Sequence, residues 1–142
     1  MSDHKAAKSN KQVCIRATQE LFGGGHLDVA DEILATSFVS HAAPPEAGVG
    51  PQSMKRTVEW LRSGLSELAY DVQEAVEEGD LVTLRVEMSA LNDRPFLGHP
   101  ASGRRFRVQQ IHMFRVVDDQ ICEHWACRDD LGMMRQLGFG PS

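Results

Sequence analysis

The sequence predicts an α+β fold, with N-terminal helices packed on a curved antiparallel sheet around a central pocket. The first half has apolar residues at helical spacing, whereas the period changes to two after Leu68. Helices that precede a run of hairpins are typical of α+β proteins. Because a curved sheet covers the helices with one face only, we expect a cone-shaped α+β barrel with a pocket where the two layers fail to meet.

Three helices are predicted in the first half. Apolar spacing predicts the first helix over residues 11–22, and the run of glycines that follows ends it. Asp28 is predicted to N-cap a second short helix over residues 29–35. Pro51 suits the first turn of the third helix. The apolar stripe of this third helix, which we assign to the core, consists of Met54, Val58, Leu61 and Leu65.

A short extended segment at residues 38–41 and four longer strands are predicted next. The longer strands alternate apolar and polar residues, as half-buried antiparallel strands do. Glu78-Gly79-Asp80 and Asp118-Asp119 supply tight turns. The stretch 92–103 contains two prolines and two glycines and is predicted to be a loop. A last helix is predicted over residues 130–137.

The 142 residues are predicted to form a single domain, in which residues 1–10 are a flexible tail. Lys and Arg number 15 against 20 Asp and Glu, so the chain lacks the basic character of a nucleic-acid-binding protein. No apolar run is long enough to span a bilayer, and the polar N-terminus lacks the apolar stretch of a secretory signal. We therefore expect a cytoplasmic protein that binds neither nucleic acid nor membranes.

Two polar residues interrupt the apolar face of the strand predicted over residues 105–117. Alternate residues share one face of a strand. Four of the six residues on this face are apolar, whereas Gln110 and His112 are polar. Burying an unpaired amide or imidazole costs roughly a few kcal/mol. Either these side chains satisfy one another in the core, or they line a ligand cavity.

The last strand and three other positions supply further candidates. Strict alternation places Cys122, His124 and Arg128 on one face of this strand, unless a bulge near Trp125 changes the register. Asp129 is a candidate acid, but it could instead cap the last helix. The candidates for the site, besides Gln110 and His112, are His124, Trp125, Arg128, Asp129, His41, Trp60 and Phe114.

The sequence lacks the common motifs of metal sites, serine hydrolases and phosphate-binding loops. The three cysteines have no CxxC spacing, and the six histidines include no HxH or HxxxH pair, so we predict no metal site. A site of His112 and His124 with an acid is the remaining metal hypothesis. There is no GxSxG motif of a serine hydrolase and no glycine-rich phosphate loop after a strand.

Several segments resemble the SnoaL-like polyketide cyclases, a branch of the nuclear transport factor 2-like fold. In the C-terminal half they are residues 98–104 (GHPASGR), Phe114-Arg115, residues 121–125 (ICEHW) and the stretch from Asp129 to the QLG ending at Gly138. Residues 28–34 and 38–41 also fit, so the resemblance covers about residues 10–139.

The resemblance implies an α+β barrel with a deep apolar pocket. Family cyclases close a ring of an aromatic polyketide ester by intramolecular aldol condensation, with no metal or cofactor. The implied partner is a small apolar or polyketide-like ligand. Members commonly pair through the outer sheet face, which implies a homodimer or homotetramer, and Ile111 and Met113 are suited to such a contact.

An acidic residue is the general acid/base in the family, and in many members Asp directly follows the Trp of the EHW segment. Here that position is Ala126. His112, His124 and Asp129 are therefore our candidates for proton transfer. Gln110, together with His112, is the candidate for stabilising the enolate oxygen.

Three functions are consistent with the sequence. The first is cofactor-independent cyclisation of a polyketide-like substrate by acid/base chemistry. The second is a binding protein that has lost the carboxylate, as Ala126 indicates. The third is isomerisation, hydroxylation or epoxide opening in the same pocket, with Arg128 and Asp129 as the reacting groups.

Overall fold

Alternating apolar residues give the sheet one buried face, and the helices cover that face. The computed structural model describes residues 9–140. The strands are β1 (Leu34–Ser40), β2 (Ser66–Glu78), β3 (Leu81–Leu91), β4 (Arg105–Val117) and β5 (Gln120–Arg128). Their order in the curved sheet is β1-β5-β4-β3-β2, and the sheet does not close. The predicted α+β class is confirmed.

The sheet is mixed rather than wholly antiparallel. Strands β2 to β5 pair in antiparallel fashion, with tight turns between β2 and β3 and between β4 and β5 and a longer loop between β3 and β4. Asp118 and Asp119 adopt φ values of 52° and 64°, so the predicted turn between β4 and β5 is confirmed. Strand β1 joins β5 in parallel and places Ser40 opposite His124. This parallel pairing brings the end of β1, an edge strand, beside the buried His124.

The helices are α1 (Asn10–Arg16), α2 (Asp28–Ile33), α3 (Pro51–Gly64) and α4 (Asp130–Leu137). A capping box between Ser9 and Gln12 begins α1, which continues as a π-helix over Ala17–Gly23. The predicted first, third and last helices are therefore confirmed. Most of the predicted flexible tail, residues 1–8 of 1–10, lies outside the described residues. No helix in the described part of the chain is long and apolar enough to cross a membrane.

The second helix differs from its prediction at both ends. Leu27 is the N-cap and makes no side-chain capping bond, whereas Asp28 is the first helical residue. The prediction that Asp28 is the N-cap is therefore wrong. The helix ends at Ile33, because Leu34 already pairs with Ile121 of β5. Strand β1 is correspondingly longer than the predicted extended segment.

Strand β4 shows the predicted alternation clearly. Its residues from Phe106 to Val116 in steps of two are each at most 5% exposed, and the intervening residues are exposed or half-buried. Gln110 and His112 are therefore buried polar residues. On the convex face, Ile111 and Met113 are 48% and 38% exposed. A subunit contact through them stays a prediction.

Strand β5 contains a bulge, but at Cys122 rather than near Trp125. The register with β4 shifts there, so Cys122 is the extra residue and is not on the face assigned to it. Ile121 takes its place and is fully buried. From His124 onward the alternation is strict. The residues that share the concave face are His124, Ala126 and Arg128.

Hydrogen bonds of Asn92 connect the loop between β3 and β4 to the end of α3. Its fully buried amide donates to the carbonyl oxygens of Gly64 at 3.1 Å and Arg94 at 2.8 Å. Its Oδ1 accepts from the amide nitrogen of Ser102 at 2.7 Å. We expect Asn92→Ala to lower the free energy of unfolding by about 3 kcal/mol, because three backbone groups lose a partner. Urea denaturation measures this loss.

Ser66→Ala is the matched control for this variant. It removes one exposed hydrogen bond to Asp93. Its effect on the free energy of unfolding should stay below about 0.5 kcal/mol. Equal losses in the two variants would contradict the role assigned to Asn92.

Candidate functional site

A cavity of about 660 Å³ lies between α3, α4 and the concave face of the sheet. This volume is within the usual range of small-molecule pockets. Apolar residues dominate its walls and include Phe22, Met54, Val58, Met88, Phe96 and Met134. The stripe on α3 therefore packs in the core, as predicted, and also forms one wall of the cavity.

A chain of four hydrogen-bonded side chains crosses the floor of this cavity. Gln110 Oε1 lies 2.8 Å from His112 Nε2, and His112 Nδ1 lies 2.9 Å from His124 Nε2. His124 Nδ1 lies 2.8 Å from Ser40 Oγ. The chain thus runs from β4 through β5 to β1, and all four residues line the cavity. We call it the floor chain.

The protons of the floor chain point in one direction. Gln110 Oε1 accepts, so the proton of His112 is on Nε2, and Nδ1 accepts from the Nε2–H of His124. His124 Nδ1 in turn accepts from the Ser40 hydroxyl, whose oxygen accepts from the Ala42 N–H at 3.3 Å. The Gln110 amide nitrogen faces Met88 Sδ at 3.3 Å, which supports this amide orientation. Every bond then has one donor and one acceptor, with both imidazoles neutral.

Burial keeps the imidazoles neutral. His112 and His124 are 3% and 4% exposed. Burial, with a smaller effect from the Arg128 charge, lowers the pKa of His112 from 6.5 to about 4. Burial and the neighbouring His112 lower the pKa of His124 to about 3. Phe114 stacks on His124 at 5.0 Å, and Phe22 lies 6.2 Å from His112, so aromatic rings surround the pair.

The two imidazoles are not arranged as ligands of one metal ion. Their facing nitrogens are 2.9 Å apart. An ion that bound both would need about 2 Å to each nitrogen and cannot fit on the line between them. Among residues 9–140, no three His, Cys, Asp or Glu side chains lie close enough to share a metal ion.

Two of the predicted ligand-binding residues stand around the mouth of the cavity. Arg128 donates to the carbonyl oxygen of Ala42 at 3.4 Å and lies 3.6 Å from Asp130 Oδ1. Trp60 is half exposed, with its ring 5.0 Å from that of Phe96. The predicted residue Phe114 does not line the cavity but is buried against the imidazoles.

His41 and Trp125 lie outside the cavity. Their rings stack at 5.0 Å, and His41 Nε2 is 3.0 Å from Glu123 Oε2. The Arg115 guanidinium is 5.9 Å from the centre of the Trp125 ring. Because Trp125 alternates with His124, this group lies on the convex face. Neither of the two predicted residues is in a position to touch a ligand on the floor chain.

Asp129 caps α4 and does not line the cavity. Its Oδ1 accepts from the Gly132 amide at 2.8 Å, and the residue is exposed. The carboxylates that border the cavity are those of Asp130 and Glu46, and neither was predicted. An acid in the first turn of a helix is common, because it interacts favourably with the helix dipole. Nothing in the sequence therefore distinguishes Asp130 from Asp129.

Ser40 and Tyr70 also line the cavity and were not predicted to do so. Ser40 reaches it through the parallel pairing of β1 with β5, for which the sequence contains no local signal. Tyr70 falls on the inward alternation of β2, between the partly buried Leu68 and Val72. The period of two in this strand could have identified it.

The profile of the SnoaL-like polyketide cyclases matches residues 12–137. The chain belongs to this family. Aklanonic acid methyl ester cyclase of Streptomyces peucetius is 33% identical over 128 residues, which are 87% of this chain and 88% of that protein. Nogalonic acid methyl ester cyclase of Streptomyces nogalater is 32% identical over 120 residues, which are 82% and 89% of the two chains.

Solved structures agree with the SnoaL-like fold. TsrD from Streptomyces laurentii superposes with a TM-score of 0.85 at 28% identity, over 96% of this chain and 100% of that one. IdmH from Streptomyces antibioticus gives a TM-score of 0.80 at 28% identity, over 92% and 99%. The family and fold that the sequence resembles are therefore confirmed. Within this fold, Ala126 lies directly across the β4–β5 ladder from His112.

The neutral imidazole pair makes the folded protein less stable in acid. An unfolded histidine, with a pKa near 6.5, is protonated at pH 5, whereas His112 and His124 in the folded protein are not. The unfolded state therefore binds more protons, so stability is complete above pH 6.5 and falls as the pH decreases toward 4. We expect the free energy of unfolding to drop by roughly 2 kcal/mol per histidine between pH 7 and pH 5.

Urea denaturation at a series of pH values measures this dependence. His112→Gln is the matched variant, because its amide can form hydrogen bonds but cannot titrate. The decrease in the free energy of unfolding between pH 7 and pH 5 should be smaller in this variant by roughly 2 kcal/mol, the contribution of one histidine. An identical pH dependence in the two proteins would show that His112 is not the buried neutral group.

Proposed function

We propose that this protein is a cofactor-independent cyclase, which closes a ring of a polyketide ester by intramolecular aldol addition in the 660 Å³ cavity. The observation that carries the proposal is the floor chain, a line of neutral proton donors and acceptors in an apolar cavity. The family and its cyclase members support the substrate class.

The reaction begins with loss of a proton from a carbon between two carbonyl groups. Such a C–H bond is already acidic, so a positioned base of modest strength can remove its proton. Ser40 is the end of the floor chain at which a proton can enter. Ser40 Oγ accepts the substrate proton while its own proton passes to His124 Nδ1, 2.8 Å away.

The floor chain accommodates this proton without breaking any bond. Protonated His124 still donates through Nε2 to His112 Nδ1, and His112 still donates through Nε2 to Gln110 Oε1. The pKa of His112, about 4, and that of His124, about 3, are close to that of an ordinary carboxylic acid. The buried histidines are therefore comparable in basicity to the carboxylate that the family resemblance leads one to expect at position 126.

The second half of the reaction forms the carbon–carbon bond. The enolate carbon attacks the ketone carbon, and the ketone oxygen takes the proton that returns from His124 through Ser40. One C–H bond breaks, and one C–C bond and one O–H bond form, so the product has the same formula as the substrate. The Gln110 amide, which has two hydrogens and uses one toward Met88, has the other for the enolate oxygen.

The experiment that tests this proposal is turnover of the methyl esters of aklanonic acid and nogalonic acid, the compounds in the names of the relatives. Because cyclisation leaves the mass unchanged, the product is followed by chromatography and by carbon NMR. A ketone carbon should be replaced by a carbon that carries a hydroxyl group. Heat-denatured protein is the control, and no product beyond that control with either ester would exclude the proposal.

Ser40→Ala should lower kcat about 100-fold with little change in fold, because it removes the entry point for the proton. His41→Gln is the matched control, since His41 is next in sequence but packs on Trp125 outside the cavity. Asp130→Asn tests the carboxylate at the rim. A larger loss of kcat in Asp130→Asn than in Ser40→Ala would show that Asp130, rather than the floor chain, is the base.

Ala126→Asp should raise the pKa of His112 by about 1 to 3 units, because a carboxylate across the ladder stabilises the imidazolium. Titration of the His112 ring by NMR measures the shift. An unchanged pKa would mean that position 126 does not face the imidazole.

Binding without catalysis is the second candidate function. Ala126 stands where the resemblance implies a carboxylate, and all four ring nitrogens of His112 and His124 already have partners. A binding protein would hold the same methyl esters and release them unchanged. If turnover appeared only in Ala126→Asp, this second function would replace the first.

A further inference from the structure

Tyr70 carries a buried hydroxyl group that has no hydrogen-bond partner in the described part of the chain. The residue is 8% exposed and lines the cavity. Among residues 9–140, no group forms a hydrogen bond with its Oη. Every side-chain nitrogen or oxygen that is wholly sealed from solvent in this part of the chain does have a partner. The Tyr70 hydroxyl is therefore open to the cavity rather than sealed in the core.

The hydroxyl group is not needed for packing. The Tyr70 ring contacts that of Phe22 with their centres 5.8 Å apart, and it lies against Gly23. A phenylalanine at this position would make the same ring contacts. Buried tyrosine hydroxyls usually find a hydrogen-bond partner, because an unpaired one costs free energy. The hydroxyl group is therefore free to form a hydrogen bond with a molecule in the cavity.

Tyr70 lies beyond the Gln110 end of the floor chain, on the opposite edge strand of the sheet from Ser40. Tyr70 on β2 pairs across the sheet with Met88 on β3, and Met88 Sδ faces the Gln110 amide. Polar or polarisable side chains thus follow one another over all five strands, from Ser40 on β1 to Tyr70 on β2. Adjacent strands are about 4.8 Å apart and residues rise about 3.4 Å along a strand, so the backbones of Tyr70 and Gln110, two strands and two residues apart, are separated by about 12 Å. A flat ring system can lie between them.

Tyr70 acts as a donor in this setting. Burial raises the pKa of its hydroxyl well above the ordinary value, and the Arg128 charge opposes this only in part. The group therefore keeps its proton at neutral pH. A neutral donor in an apolar cavity is best satisfied by a neutral oxygen acceptor, and polyketide ring systems offer carbonyl oxygens.

We propose that Tyr70 is a substrate-binding residue, whose hydroxyl donates a hydrogen bond to a ring carbonyl of the ligand at the end of the cavity opposite Ser40. The choice of a polycyclic ligand rests on the proposed function. The hydrogen bond itself rests on the unpartnered hydroxyl, and it does not require turnover. Tyr70 would thus select polycycles that carry a carbonyl oxygen at this end.

The test compares the binding of two probes that differ in their ring carbonyls, methyl anthraquinone-2-carboxylate and methyl anthracene-2-carboxylate. Their dissociation constants are measured by quenching of the protein's tryptophan fluorescence, for the native protein and for Tyr70→Phe. We expect the native protein to prefer the quinone. Tyr70→Phe should weaken quinone binding about 3- to 10-fold and leave anthracene binding unchanged.

Met133→Leu is the matched control, because Met133 lines the cavity without a hydrogen-bonding role. This variant should change the two affinities by the same factor. Thermal unfolding of Tyr70→Phe checks that the fold is intact. The proposal is overturned if the native protein does not prefer the quinone, or if Tyr70→Phe does not weaken quinone binding selectively. Absence of turnover with these measurements as expected would refute the cyclase function alone.

Discussion

The hydrogen bond between His112 Nδ1 and His124 Nε2, at 2.9 Å, sets the requirements for the rest of the concave face. Each ring nitrogen is buried, and a buried nitrogen without a partner costs about 1 to 3 kcal/mol. Strands β4 and β5 must therefore keep the register that brings these rings together. The two outer nitrogens need partners as well. Gln110 supplies one from β4 itself, whereas the other partner, Ser40, is available only because β1 adds to β5 in parallel.

The apolar walls of the cavity complete this arrangement, because they bury the two imidazoles. The π-helix at the end of α1 is wider than an α-helix and directs Phe22 to within 6.2 Å of both imidazole rings. Met54 and Val58 of α3 also line the cavity. These apolar walls are the physical cause of the low pKa values of the pair. The hydrogen bonds of the floor chain and the apolar walls of the cavity therefore both favour neutral imidazoles.

The parts of the site that were predictable are those that a local pattern encodes. Gln110 and His112 stand out because a period of two is visible within β4 alone. Ser40 meets His124 across 84 positions of sequence, and no local pattern reports such a contact. The predicted residue of this segment is its neighbour His41, which lies outside the cavity.

The alternative in which Asp129 caps the last helix agrees with the structure, whereas Asp130, which was not predicted, borders the cavity. Asp129 and Asp130 differ only in whether they precede or begin α4. A boundary shift of one residue decides which carboxylate caps the helix and which borders the cavity. The prediction of the fold class depends less on exact boundaries. The change of period after Leu68 extends over many residues, so small errors at the ends of strands do not alter the predicted class.

Ala126 connects these observations to the chemistry that we propose. A carboxylate at this position would lie across from His112 and would hold the imidazole in its charged form, so that the cavity floor would contain an ion pair. With alanine there, the floor is neutral, and burial alone sets the basicity of the histidines. Because burial brings their pKa values into the range of a carboxylic acid, loss of the carboxylate does not remove a base of that strength. In the mechanism that we propose, the proton therefore enters at Ser40 on β1 rather than at position 126 on β5.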